Sequence, residues 1–221
     1  MEPIYVSTDT ELEQAVSCCA DSSVIALDTE FARFNTYYPM VGLVQIATQR
    51  HCFLIDPLAI SNLVPLAELL SRSDLLKVVH AGSEDMEVFQ YALGITPAPV
   101  FDTQIATAAL GIGFSMSYQR LVAHYLSIDV PKEETRSDWL RRPLTASQLQ
   151  YAALDVVYLY RVYFDQLRQL KHLDREKWVL EESAKLNELL PTAIDPAESY
   201  LKGKGLHVLN RRQLGCLQLL Y

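Results

Sequence analysis

Two acidic side chains stand two residues apart where an apolar run gives out, in Val24-Ile25-Ala26-Leu27-Asp28-Thr29-Glu30-Phe31. On a β-strand, residues i and i+2 project to the same side, so Asp28 and Glu30 would lie together at the end of a buried strand. Two like charges so placed are costly unless a cation sits between them. Hard divalent ions such as Mg2+ and Mn2+ take oxygen ligands of this kind. An isolated Asp-x-Glu is equally what a strand running out into a polar loop shows, so metal chemistry needs further carboxylates at other element ends. Two are available. Asp85, in HAGSEDMEVF, falls in the first turn of a helix after a buried strand, although the positive end of any helix favours an acid there. In Tyr151-Ala152-Ala153-Leu154-Asp155 the spacing puts tyrosine and aspartate about 40° apart on one helical face. An amphipathic helix with a core tyrosine would read the same way.

The elements that must position these groups follow from pattern. Ile4 to Val6 reads as a short edge strand, and Thr8-x-x-Glu11 is a capping box opening a helix through about Cys19. Asp21-Ser22-Ser23 turns the chain into the Val24 strand, and Ala32 to Pro39, without a period, reads as a loop beside the carboxylate pair. Val41 to Ala47 and Cys52 to Ile55 read as strands joined at Gln49-Arg50, giving an antiparallel meander. Leu63 to Leu70 has helical spacing. Leu75 to Val79 is a buried-type strand, with Ser83 as N-cap of a helix from Glu84 to Tyr91. Val100-Phe101 is strand-like. Helices are expected over Thr103–Leu110, Ser117–Leu126, Thr145–Leu170 and Asp174–Leu190, with a charged loop, PKEETRSDWLRRP, before the third of these. Strands first, then strand–helix units, then helices describe an α/β layer fold with a mixed sheet.

At 221 residues, half of them hydrophobic, the chain can bury one full core with a small appendage. No apolar run approaches the roughly 18–20 residues that cross a bilayer, and MEPIYVSTDTELEQA lacks a basic stretch followed by an apolar one. These features point away from membrane and secretion and toward the cytoplasm. Cys18, Cys19, Cys52 and Cys216 form no Cys-x-x-Cys, and the histidines show no His-x-x-x-His, so zinc is not expected and the thiols read as buried and reduced. The formal net charge of −8 argues mildly against non-specific nucleic-acid binding. Carboxylates that hold cations, however, count in that sum while presenting a neutralised site. Basic residues cluster as Arg136, Arg141 and Arg142, and later as Lys202, Lys204, Arg211 and Arg212. The planar arginine fork suits phosphate, though a solvated surface carries such clusters as well. PTAIDP has linker character, and Leu214, Leu217, Leu220 and Tyr221 form an apolar stripe that needs a cover. The expected organisation is a catalytic domain over 1–190, then a linker and the truncated beginning of a helical domain over 191–221.

Asp28-x-Glu30, Asp85 and Tyr151-x-x-x-Asp155, in that order, resemble the three motifs of the DEDD exonuclease superfamily. The branch is the tyrosine one; the histidine branch has His five positions before the last Asp, where Gln150 stands here. ALDTEFARFNTYYP, VHAGSEDMEVF, FDTQIA, SDWLRRPLT and YAALDVVYL are similar to the ribonuclease D family over about 1–190, with no motif broken. The tail from about Glu198 resembles the start of an HRDC domain. The resemblance implies an RNase H-like mixed β-sheet flanked by helices, followed by the start of an all-α, HRDC-type domain. It also implies a 3′-5′ exoribonuclease using two divalent ions, Mg2+ or Mn2+, releasing 5′-mononucleotides from RNA 3′ ends in tRNA maturation. In the implied roles Asp28 bridges both ions, Glu30 and Asp155 complete the water-activating site, Asp85 supports the second ion, and Tyr151 attends the nucleophilic water. Thr29, Phe31 and His80 are expected to meet the terminal nucleotide, although His80 reads equally as a core histidine. Arg136, Arg141 and Arg142 are expected to meet phosphates. Spacing alone does not separate RNA from DNA, so a DNA-directed proofreading exonuclease stays open. A non-catalytic nucleic-acid-binding scaffold is disfavoured because no acidic residue is lost. Glycoside hydrolysis fits poorly, since its carboxylates flank the bond from opposite faces.

Overall fold

Six strands pair into one mixed sheet: β1 (Pro3–Val6), β2 (Val24–Ala32), β3 (Met40–Ala47), β4 (Cys52–Ile55), β5 (Leu76–Val79) and β6 (Val100–Asp102), in the order β1-β4-β3-β2-β5-β6. The β2, β3 and β4 strands form the expected antiparallel meander. On either side the pairing is parallel: β1 with β4, β5 with β2 and β6 with β5. The computed structural model describes residues 1–33, 36, 38–130, 134, 137–188 and 209–218.

The helices are α1 (Asp9–Cys19), α2 (Val64–Ser71), α3 (Ser83–Leu93), α4 (Thr103–Ala109), α5 (Tyr118–Leu126), α6 (Ala146–His172), α7 (Glu176–Ala184) and α8 (Arg211–Gln218). Reciprocal capping boxes open α1 at Thr8–Glu11 and α6 at Thr145–Gln148, which satisfies backbone donors that a helix start leaves unpaired. The long α6 crosses one face of the sheet and touches β1 through β5. It buries Ala152, Val156, Leu159 and Leu170 there, at about 1.5–3 kcal/mol for each large aliphatic side chain. Tyr163 adds an edge-to-face contact with Phe101, ring centroids 5.0 Å apart. The chain divides into two compact units, Met1–Leu189 and Leu190–Tyr221; in the second, α8 is described. Among the described residues no helix is long and apolar enough to cross a membrane.

Several boundaries differ from those expected. β2 does not stop at its carboxylates but runs on to Ala32, because β3 continues the ladder opposite it. Asp28 and Glu30 therefore sit inside a strand. The register passes from Glu30↔Leu43 to Phe31↔Val41, which leaves Gly42 as the extra residue of a bulge. A Cβ at Gly42 would stand 2.5 Å from the Trp139 carbonyl oxygen. The N-cap of α3 is Gly82 rather than Ser83, where a Cβ would meet Val79 Cγ2 at 2.6 Å. α7 is shorter than its charged segment suggests. All four cysteines are free, but Cys18 and Cys216 are exposed, against the expectation of buried thiols.

The Gly42 contact is with backbone, which cannot rotate out of the way. Gly42→Ala is therefore expected to lower folding stability by about 1–3 kcal/mol, as overpacking does. Urea denaturation measures it, and an unchanged midpoint would mean that the Trp139 segment yields freely.

Candidate active site

β2 presents Asp28 and Glu30 to the face that α6 crosses, and α6 supplies Asp155 from its first half. One carboxylate oxygen from each of these three residues lies within 4.8 Å of the other two. Asp155 is 8% exposed. Tyr151, one helical turn earlier, hydrogen-bonds the Asp155 carboxylate, and its ring leans against Trp139 with centroids 6.2 Å apart. Asp85, at the start of α3, stands outside the trio yet close enough to act electrostatically on Asp28. Thr29 lies between the paired acids in sequence and so points the other way; its hydroxyl donates to the Asp85 carboxylate. That bond ties α3 to the strand bearing the other acids.

A buried hub sets the approach to α3. The Asp102 carboxylate accepts from the amides of Ala81 (3.1 Å) and Gly82 (2.9 Å), and it caps α4 by accepting from Gln104 (2.7 Å) and Ile105 (3.3 Å). Ala81 is held at φ 53°, a left-handed conformation that a non-glycine residue adopts only when its surroundings compel it. His80 Nδ1 lies 2.9 Å from the Thr103 hydroxyl, which itself donates to the Val79 carbonyl. Next to this, a cavity of about 160 Å³ is lined by Asp28, Glu30, His80, Tyr118, Gln119, Tyr151, Asp155 and Leu159. The donors facing it are hard oxygens, a set that suits a divalent cation such as Mg2+ or Mn2+.

A family model described as 3′-5′ exonuclease matches residues 3–171. The chain belongs to the 3′-5′ exonuclease family. Its relatives include a ribonuclease D of Pseudomonas paraeruginosa, 44% identical over 214 residues, or 97% of this chain and 57% of the relative. The crystal structure of Escherichia coli RNase D, described as an exoribonuclease involved in structured RNA processing, superposes with TM-score 0.92 at 37% identity, covering 100% of this chain and 59% of that one. The catalytic core of RRP6 from Trypanosoma brucei gives TM-score 0.84 at 27% identity, covering 100% and 63%. The mixed sheet flanked by helices is thus the architecture of the ribonuclease D and RRP6 catalytic cores. The chain spans little more than half the length of the curated relatives it matches.

In this member of the 3′-5′ exonuclease family the expected substrate residues divide. His80 lines the cavity, Phe31 is partly buried just past the bulge, and Thr29 is buried with its hydroxyl committed to Asp85. Arg141 is exposed. Arg136 lies outside the described residues. Arg142 does not belong with them, because its whole fork is already used. Nε and Nη2 donate to the two Asp56 oxygens at 2.7 Å, Nη2 also to the Gly42 carbonyl at 2.5 Å, and Nη1 to the carbonyls of Trp139 (2.8 Å) and Arg141 (3.0 Å). A phosphate would have to break this clamp. Sequence reasoning missed Tyr118, whose hydroxyl donates to the backbone carbonyls of Leu154 (2.9 Å) and Asp155 (2.5 Å) while its ring meets His80 edge-on. A tyrosine at the start of an amphipathic helix carries no signal of such a role. Asp102 did carry one, as an acid immediately before a helix.

Burial pushes all four acids upward, and repulsion from the neighbouring carboxylates adds to it at Asp28 and Glu30. Asp28 lies well above the usual carboxylate range, raised by burial and by Asp85, Asp155 and Glu30. Burial pushes Glu30 up to about 9, with Asp155 and Asp85 adding to it. Asp155 rises to about 7 through burial, against the Tyr151 hydrogen bond. Asp85 rises to about 6 through burial, opposed by its bonds to Thr29. A carboxyl whose pKa is higher folded than unfolded binds more protons in the native state, so stability falls as pH rises from about 4 through the folded value. The melting temperature of ion-free protein is therefore expected to decline from about pH 5 to about pH 9. Added Mg2+ or Mn2+ should restore it more at the alkaline end; equal restoration at both ends would contradict a cation-binding cage.

Proposed function

We propose that the chain is a metal-dependent 3′-5′ exoribonuclease of the ribonuclease D kind. The observation that carries this reading is the convergence of Asp28, Glu30 and Asp155 from a strand and a helix onto one cavity, with Asp85 beside them. Asp28, Glu30, Asp85 and Asp155 are the residues that would hold two divalent ions. Such ions supply activation of water and stabilisation of the attacking and leaving oxygens in phosphodiester hydrolysis.

The chain's own groups do the rest. Tyr151 is a poor base, since an ordinary tyrosine titrates near 10; hydrogen-bonded to Asp155, it orients the attacking water. His80 and Phe31 flank the terminal nucleotide, and the Thr29 backbone meets it while the Thr29 hydroxyl steadies Asp85. Arg136 and Arg141 are the arginines of the basic cluster that contact phosphate. The substrates are RNAs with free 3′ ends, tRNA precursors among them, shortened to 5′-mononucleotides in the cytoplasm. The residues over 191–221 are a linker and, from about Glu198, the start of an HRDC-type helical domain.

A 5′-labelled RNA with a 3′ extension tests the reading directly. It is expected to shorten stepwise from the 3′ end only with Mg2+ or Mn2+, faster than a matched DNA, and not at all with Asp28→Asn. Ion-independent cleavage, or cleavage that survives Asp28→Asn, would refute it. Tyr151→Phe in the same assay is expected to lower turnover by about 100-fold or more while the ion-dependent rise in melting temperature persists. Near-normal turnover would remove Tyr151 from its role.

A further inference from the structure

Three strands turn a row of side chains toward α6. β2 offers Ala26, Asp28 and Glu30, β3 offers Leu43, Gln45 and Ala47, and β4 offers Cys52 and Leu54. Gln45 is the polar member of the β3 row. It pairs in register with Asp28 on one side and Leu54 on the other. Its exposure is 0%, and neither Nε2 nor Oε1 has a hydrogen-bond partner among the described residues. Buried amides are almost always satisfied, and one that is not weakens the fold relative to an apolar side chain of the same shape. Leucine or methionine would suit a position flanked by Leu43, Ala47 and Leu54. A polar group kept against stability points to a demand from a functional site.

We infer that Gln45 is a positioning residue for Asp28: its carboxamide donates, from within the core, to the Asp28 carboxylate when that group holds cations. Directly opposed residues of an antiparallel pair have Cβ atoms about 4.5–5.5 Å apart, which a glutamine side chain spans. A carboxylate that ligates a metal is itself usually held by a hydrogen bond, and loss of that partner weakens metal binding about 10- to 100-fold. The Oε1 atom is left to accept from a water or from a donor on the underside of α6.

The inference rests on the nuclease reading, and its test separates the two. Gln45→Met keeps the reach and shape of the side chain without its polar atoms, and Gln45→Leu is a second apolar variant should the first fold poorly. Each is compared with wild type by melting temperature in EDTA, by Mn2+ affinity from calorimetry, and by turnover and KM on RNA. The expected result is an ion-free melting temperature equal to or above wild type, Mn2+ affinity weaker by about tenfold or more, lower kcat and little change in KM. Wild-type Mn2+ affinity and kcat in a well-folded variant would make Gln45 a filler of the core and overturn the inference. Absence of Mn2+ binding by the wild type would instead overturn the nuclease reading, and this inference with it.

Discussion

Repulsion between carboxylates is the constraint to which the rest of the molecule answers. Two full charges within 4.8 Å of each other repel by about 3 kcal/mol or more at an effective dielectric of ~20. A domain holds together by only about 5–15 kcal/mol, so three such pairs would consume most of it. Without cations the site can relieve that pressure in two ways: by taking up protons, which the raised pKa values describe, or by moving apart. The architecture closes the second route.

It does so by fixing each acid through an element that has other reasons to stay where it is. β2 lies in the interior of the sheet: Asp28 and Glu30 cannot recede without breaking their ladder with β3, and β5 holds the same strand just before them, at Val24 to Ala26. Asp155 sits on a helix whose apolar face spans most of the sheet, and Tyr118 grips the backbone carbonyl of that same residue. Asp85 is held at one end by Thr29, while Asp102 pins the turn that delivers α3. The acids are brought together by packing that was gained elsewhere.

Much of this was legible in the sequence because it is written in local rules. The Thr8–Glu11 capping box, the meander and the four-residue step from Tyr151 to Asp155 depend on neighbours along the chain, and the structure places them as expected. What was hidden depends on neighbours in space. The extension of β2 past Asp28 needs the facing strand. Arg142 looks like a phosphate ligand until Asp56, 86 residues away, claims its fork. Gln45 is an unremarkable amide until its register partner is known, and Tyr118 matters only through a helix that arrives later in the chain. The close approach of Gly82 to Val79, which leaves no room for a Cβ at the N-cap of α3, is likewise a contact that composition does not encode.

The bulge at Gly42 divides the β2–β3 hairpin into two reading frames. On the sheet side of it, odd-numbered residues of β3 share a face with the even-numbered acids of β2; beyond it, even pairs with even, as in Ala32↔Met40. Pairing the surplus residue with Phe31, in place of the bulge, would merge the frames and turn Met40 and Val41 over, while Gln45 and Leu43 stayed beside the acids. The hairpin therefore contains a phase break, and the half that carries the chemistry is insulated from slippage in the half that does not.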